Sequence, residues 1–420
     1  MVGPAAEAGG GGVPGAGVSV GGAEGGAIGS GAAPVETEGV GAPAGDAPGA
    51  IGAAAEGGAA AMADDAAAAE AVAEARSRGY HLLARLLAHG PTAGLRAEAA
   101  TVPALRSVLP PEADPDAVAA DHHALFGLDI LPYEGVFRDP EGLLGGPATS
   151  AVAAACAAAG WAPPDRGESP DHAAVELAFL AWLAGGEADA LRARDGAGRA
   201  RRAAQRERFA AQHALRWLPA LAAALEAAAA GGAPGAAGAA FHATVLGLAV
   251  AMTADAAGSG KAGHGGDDAP ARAAGPAPDD PAASEAGELL ADPRTGLREI
   301  ARFLTSPARA GAYLGRGAVM RAAGVADVPH GFGDRRTMLG DALSAAAHRG
   351  RVGALARALD AEVALQARAI ATWRRQARTA GWAELERALE GWAARGKGCR
   401  EVLGVVARSS ETDAGAFGSG

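Results

Sequence analysis

Between residues 62 and 252 the chain is written in strong helix formers, chiefly Ala, Leu, Arg and Glu, with Val, Ile and Thr too sparse to supply a sheet. That bias restricts the fold to helices packed on helices. Tyr80, Leu82, Leu83, Leu86 and Leu87 recur at helical spacing, and Gly90-Pro91 supplies the stop. Further helices are predicted over about 115–127, 148–159, 197–230 and 238–255. A Pro- and Gly-rich loop separates the first two of these, at 131–147. Another helix is predicted to start at Ser169-Pro170 and to carry Val175, Phe179 and Leu183 on one face.

Outside that region the composition changes. Residues 1–61 are Gly, Ala and Pro with almost no large apolar side chains, so burial cannot offset the entropy of ordering, and disorder is expected. Residues 256–285 read as a flexible linker. Helical patterning returns over 286–408, through Leu297, Ile300, Phe303 and Leu304, then Leu355, Leu359, Val363 and Ile370, then Trp373, Trp382, Leu385, Leu389 and Trp392. Residues 409–420 read as a disordered tail. The expected fold is therefore all-α.

Charge and cysteine usage narrow the function. A net charge of -11 argues against non-specific nucleic-acid binding, which needs a basic footprint. Cys156 and Cys399 are far apart and form no C-x-x-C pair, which gives neither a disulfide framework nor a zinc site and suits a reducing compartment. The N-terminus lacks a basic region followed by an apolar run, and the longest apolar stretch, near 243–252, falls short of a membrane span, so a cytoplasmic protein is expected.

Several local patterns read as structure rather than chemistry. The GSGK at 258–261 lacks the strand, helix and following Ser or Thr that a phosphate loop needs. His122 and His123 are helix neighbours that should not share a face. Phe209, His213 and Trp217 fall at i, i+4 and i+8 and predict a core stripe with a satisfied histidine. The Arg-rich run 192–208 predicts a solvated helix face.

Two segments stand apart. In LPYEGVFRDPEGLLGGPAT (131–149), Tyr133 and Phe137 sit among Glu134, Asp139 and Glu141 in a loop stiffened by Pro132, Pro140 and Pro147. In ESPDHAAVELAFLAWL (168–183), Ser169 is placed to cap a helix, Pro170 suits its first position and Asp171 favours its positive end, while His172 and Glu176 lie four apart.

Together these segments resemble the TorD/DmsD family of redox-enzyme maturation chaperones, related to the NarJ type. The shared pattern is a P-Y-E-S-V-F/Y loop, then D-P-E-G-L-L and G-P-A-T, then E-P-D-H-L and E-L-x-F-L. The chain has Pro132, Tyr133, Glu134, Val136 and Phe137, then Asp139 to Leu144 and Gly146 to Thr149, then Glu168, Pro170, Asp171, His172, Glu176, Leu177, Phe179 and Leu180. It departs from the pattern at Gly135, Ser169 and Ala173. The resemblance covers about 70–255, and residues 303–339 are similar to a C-terminal extension of some TorD-like proteins.

The resemblance implies a helical bundle of two subdomains, with a further helical region after it, as a monomer or a domain-swapped homodimer. It implies a chaperone without chemistry or cofactor of its own. Its partner would be the precursor of a molybdopterin oxidoreductase catalytic subunit, held by its twin-arginine signal peptide or N-terminal region until cofactor insertion. A receptor for such a leader needs carboxylates beside an apolar groove. Glu134, Asp139, Glu141, Glu168, Asp171 and Glu176 are the candidate carboxylates, with Tyr133, Phe137, Pro170 and His172 beside them. Two arginines contribute roughly 1.5–3 kcal/mol per charge-assisted bond. Micromolar binding needs about 8 kcal/mol net, so burial of the leader's apolar run should supply the rest, with Asp171 and His172 setting specificity. An acid–base enzyme using Asp171 and His172, or a scaffold acting through 286–408, are the alternatives.

Overall fold

Gly90 closes the first long helix where Gly90-Pro91 demands it, in the left-handed region at φ 69°. The computed structural model describes residues 51–112, 114–142, 144–163, 167–232, 236–258 and 281–417. Most of the segment expected to be disordered (1–50), most of the expected linker (259–280) and the GSGK stretch beyond Gly258 lie outside the described residues. Residues 57–420 form one contact unit. A separate unit covers Met1–Glu56, of which residues 51–56 are described and helical.

Every regular element described is helical. The first half comprises α1 (Ile51–His89), α2 (Ala93–Ala99), α3 (Pro103–Arg106), α4 (Pro115–His122), a π-helical segment π1 (His123–Asp129), α5 (Glu134–Arg138), α6 (Pro147–Ala158), α7 (Ala173–Arg192), α8 (Gly196–Phe209), a second π-helical segment π2 (Ala210–Ala214), α9 (Leu215–Ala230) and α10 (Ala236–Gly258). The second half comprises α11 (Pro281–Ala291), α12 (Leu297–Leu304), α13 (Pro307–Ala310), α14 (Arg316–Ala326), α15 (Arg335–His348), α16 (Val352–Ala380) and α17 (Ala383–Phe417). The last helix runs on past residue 408, and α1 begins before residue 62, because alanine-rich sequence keeps helix propensity after its apolar periodicity fades. The Pro/Gly-rich loop contains α5, a short helix whose Val136 and Phe137 are buried.

Two apolar cores organise residues 57–420. The first is built from α1 to α10 around Tyr80, Phe137, Leu177, Phe179, Trp217 and Phe241. The second gathers Phe303, Leu304, Val319, Leu339 and Leu343 from the elements after α11. Helices α16 and α17 form an antiparallel hairpin, turned at Gly381 (φ 73°), that belongs to both. Leu355, Leu359, Val402 and Leu403 fill the second core, whereas Ile370, Leu385, Leu389 and Trp392 enter the first. The indole of Trp392 donates to the carbonyl of Arg216 at 2.8 Å.

Two details differ from the sequence expectations. Arg206, within the run expected to be solvated, is buried, pairing with Glu187 at 3.1 Å and donating to the carbonyl of Ala256. Helix α10 is longer than its apolar stretch suggests. Ala237–Gly258 is long and apolar enough to cross a membrane by composition, and 56% of its most apolar window is buried inside the fold, through residues such as Phe241, Val245, Leu246 and Val250.

Candidate functional site

The two motif segments are joined by backbone. Tyr133 and His172 form an isolated antiparallel bridge. The amide of Glu134 donates to the carbonyl of Asp171 at 2.9 Å, and the amide of Ala173 donates to that of Pro132 at 2.9 Å. Asp171 completes the joint with its side chain: Oδ2 accepts from the amide of Gly135 at 3.0 Å and Oδ1 from the hydroxyl of Ser169. Its carboxylate is fully buried.

This joint moves the start of the following helix. Ser169 and Pro170 do not cap it; α7 begins at Ala173, with His172 as its N-cap. The local preference loses because the carbonyl and Oδ2 of Asp171 are committed to the amides of Glu134 and Gly135, and its Oδ1 to the hydroxyl of Ser169. The Nδ1 of His172 accepts from the amide of Ala174 at 3.1 Å, which fixes the proton of a neutral ring on Nε2. Burial holds this imidazole's pKa below its ordinary value.

Behind the joint lies a sealed carboxyl pair. Glu134 and Glu176 are fully buried and hydrogen-bond each other. Glu134 accepts from Arg138 and, at 3.0 Å, from Nδ1 of His213 in π2. Glu176 accepts from the indole of Trp217 at 3.2 Å. Burial, then the charge of Glu134, raise the Glu176 pKa well above the ordinary range, so Glu176 keeps its proton and donates to Glu134. Phe209, His213 and Trp217 are all buried, and the histidine is satisfied, as the stripe predicts.

In front of the joint opens a cavity of about 430 Å³ between α1, π1 and α7. Pro132, Tyr133, Phe126, Trp161 and Pro163 make apolar walls, and Glu168 and His172 share its lining. The phenol of Tyr133 donates to Oε1 of Glu168 at 3.1 Å, and the amide of Ser169 donates to the same oxygen at 2.8 Å. Oε2 of Glu168 accepts nothing among the described residues. Burial and the Glu168 charge push the Tyr133 phenol up to about 12, so it remains a donor.

The structure separates the ten expected site residues. Tyr133, Glu168 and His172 line the cavity. Glu134, Asp171 and Glu176 face the interior. Phe137 is core, stacked on Tyr313 at 5.1 Å and tilted against Trp217 at 5.5 Å. Asp139 accepts from the amide of Glu141 and closes a turn. Glu141 pairs with Arg302 at 2.7 Å and Arg309 at 2.8 Å, and these guanidinium groups hold its carboxyl below the ordinary range. Pro170 is half-buried outside the cavity. Nor do Asp171 and His172 form an acid–base pair: the carboxylate faces the joint and the ring caps α7.

Sequence reasoning missed His81, Arg85, His89, Trp161 and the pair His122 and His123, all of which line the cavity. His122 ends α4 and His123 begins π1, so the change of helical pitch brings both neighbours to one cavity, contrary to the α-helical expectation. His122 bonds the carbonyl of Leu87 at 2.8 Å. Among the described residues no group of His, Cys, Asp and Glu is arranged to hold a metal ion.

Residues 93–223 match the family model described as the nitrate reductase delta subunit. That span includes both motif segments, π1, α7 and π2. No curated protein and no solved structure gives a significant match to the chain.

Proposed function

We propose that this chain is a maturation chaperone of the NarJ and TorD type, as the match of residues 93–223 to the nitrate reductase delta subunit model supports, and that it acts in the cytoplasm on the precursor of a molybdopterin oxidoreductase catalytic subunit. It holds the arginine-bearing leader or N-terminal region of that precursor in the cavity between α1, π1 and α7. The observation that carries this reading is the Tyr133–His172 bridge, which brings both motif segments to one apolar-walled cavity with Glu168 on its edge.

The division of labour follows from the burial. Glu168 offers the guanidinium partner, because its free oxygen is the expected motif carboxylate nearest the cavity. Asp171, Glu134 and Glu176 act as positioning residues that hold Tyr133 and the start of α5 against α7. Tyr133, Trp161 and Phe126 receive the apolar run, whose burial at about 25 cal/mol per Å² supplies most of the affinity. Arg85, which also lines the cavity, is already held by Glu98 at 3.0 Å, so its charge is taken up within the protein.

The test is calorimetry with a synthetic peptide bearing adjacent arginines and then an apolar run. Glu168→Gln keeps an oxygen for Tyr133 and Ser169 while removing the charge, and should weaken binding by about tenfold. A peptide with glutamines for its arginines should lose the difference between the two proteins. Equal binding of the arginine peptide to wild type and variant would remove Glu168 from the site.

A further inference from the structure

The leader cavity is lined by chain on both sides of residues 128–131: Phe126 and Gly127 of π1 before them, Pro132 and Tyr133 after them. The residues between are gripped by a side chain from the other half of the molecule. The hydroxyl of Tyr313, in the connection between α13 and α14, donates to the carbonyl of Asp129 at 2.9 Å and accepts from the amide of Leu131 at 3.1 Å. We propose that Tyr313 is a positioning residue for the leader cavity, clamping the exit of π1 so that Pro132 and Tyr133 meet α7 in the binding arrangement. The inference rests on the assignment of that cavity to the leader.

Tyr313 is itself fixed from several directions. Gln366 of α16 accepts from its amide and donates to its carbonyl, both at 2.8 Å. Its ring stacks on Phe137, and the guanidinium of Arg335 lies over it at 4.2 Å. Burial raises the phenol's pKa, which keeps the proton that Asp129 accepts. A further bond backs the clamp: Oδ1 of Asp129 accepts from the amide of Gly317, in the first turn of α14, at 2.8 Å. Gly315 permits the close approach, since a β-carbon there would lie 3.0 Å from the carbonyl oxygen of Asp129. Neither Tyr313, Gln366, Gly315 nor Gly317 lines the leader cavity, so all act through the segment that does.

The segment needs such an anchor. Residues 130–132 belong to no helix, so no helical ladder sets their course, and it is set by what their backbone groups bond outside. At one end stands the Tyr133–His172 bridge, with the amide of Ala173 on the carbonyl of Pro132. At the other stands Tyr313. Loss of the second anchor leaves Tyr133, whose phenol reaches Glu168, tied to α7 alone. A second hollow, of about 710 Å³, is lined by Gly127, Asp129, Leu131 and Tyr313, so the clamped chain borders both it and the leader cavity.

The test is made on the full chain. Tyr313→Phe keeps the stacked ring and removes both hydroxyl bonds. Tyr80→Phe is the control: Tyr80 is also buried, and its hydroxyl bonds Thr253 of α10 at 3.2 Å, away from the cavity lining. Two quantities are measured, affinity for the adjacent-arginine peptide and hydrogen exchange at the amides of Glu134 and Ala173, which close the bridge. Tyr313→Phe should weaken the peptide about tenfold and speed exchange at both amides, and Tyr80→Phe should do neither. Gly315→Ala, which crowds Asp129 and leaves the hydroxyl in place, should act in the same direction as Tyr313→Phe. Unchanged exchange at Glu134 and Ala173 in Tyr313→Phe would overturn the proposal. So would full affinity for the peptide, or an equal loss in Tyr80→Phe, which would make the effect one of general stability. A peptide that binds neither wild type nor variants would end the leader reading, and the two amides would still decide whether Tyr313 holds the joint.

Discussion

Glu176 is the residue whose environment makes the sharpest demand. Its folded pKa lies well above the ordinary carboxyl value of 4.5, so the folded protein holds a proton that the unfolded chain releases. That contribution to stability is complete below about pH 4.5 and is lost as pH rises through the folded value. Glu176→Gln retains a donor for Glu134 and an acceptor for Trp217 without a titrating group. Its thermal midpoint relative to wild type should therefore improve steadily between mildly acidic and mildly alkaline pH, measured by circular dichroism. Parallel profiles would show that the pair does not share a proton as described. At this scale the sequence was partly legible. The spacing of Phe209, His213 and Trp217 marked a core face, and the two motif segments singled out in the sequence meet in the fold. What spacing cannot convey is direction. Asp171 and Glu168 look alike in a string, yet Asp171 is consumed by the amide of Gly135 and the hydroxyl of Ser169 while Glu168 keeps an oxygen free.

Elements were legible where apolar period and punctuation agree, as at α1 with Gly90 or α6 with Gly160. They were illegible where a tertiary bond overrides a local preference. The start of α7 moved from Ser169 to Ala173 for that reason, and α5 hid in a loop because its helix is shorter than one apolar repeat. The π segments carry no compositional mark, though π1 decides that His122 and His123 share a cavity. Close approach between elements is testable at Gly311, which ends α13 at φ 65°. A β-carbon there would lie within 2.7 Å of backbone atoms of α17 near Arg395 and Gly396. Gly311→Ala should cost more than about 1 kcal/mol in chemical denaturation, from backbone strain and collision together. It should also loosen Arg309 and Tyr313, which lie beside it in α13 and just beyond. Unchanged stability would mean that α13 and α17 part without cost.

At the scale of the molecule, the region after residue 286 is part of the first core. The side chains of Ile370, Leu385, Leu389 and Trp392 complete it, and Gln366 holds the backbone of Tyr313 through two bonds of 2.8 Å. Periodicity marked those residues as helical; it had no means of saying which core they fill. A chain ended after Gly258 should therefore expose apolar surface, bind a hydrophobic dye and lose its cooperative transition. Trp392→Ala in the whole chain should cost about 3–5 kcal/mol. A sharp, wild-type-like melt of the shortened chain would show that the first core closes alone. Gly127 has a last consequence. It lines two neighbouring hollows at once, and a shared wall cannot shift for one tenant without reshaping the room of the other. If either occupant moves π1, each must alter the other's affinity by an identical factor, because the thermodynamic cycle closes. Leader release would then be governed as much by what sits behind the wall as by the leader itself.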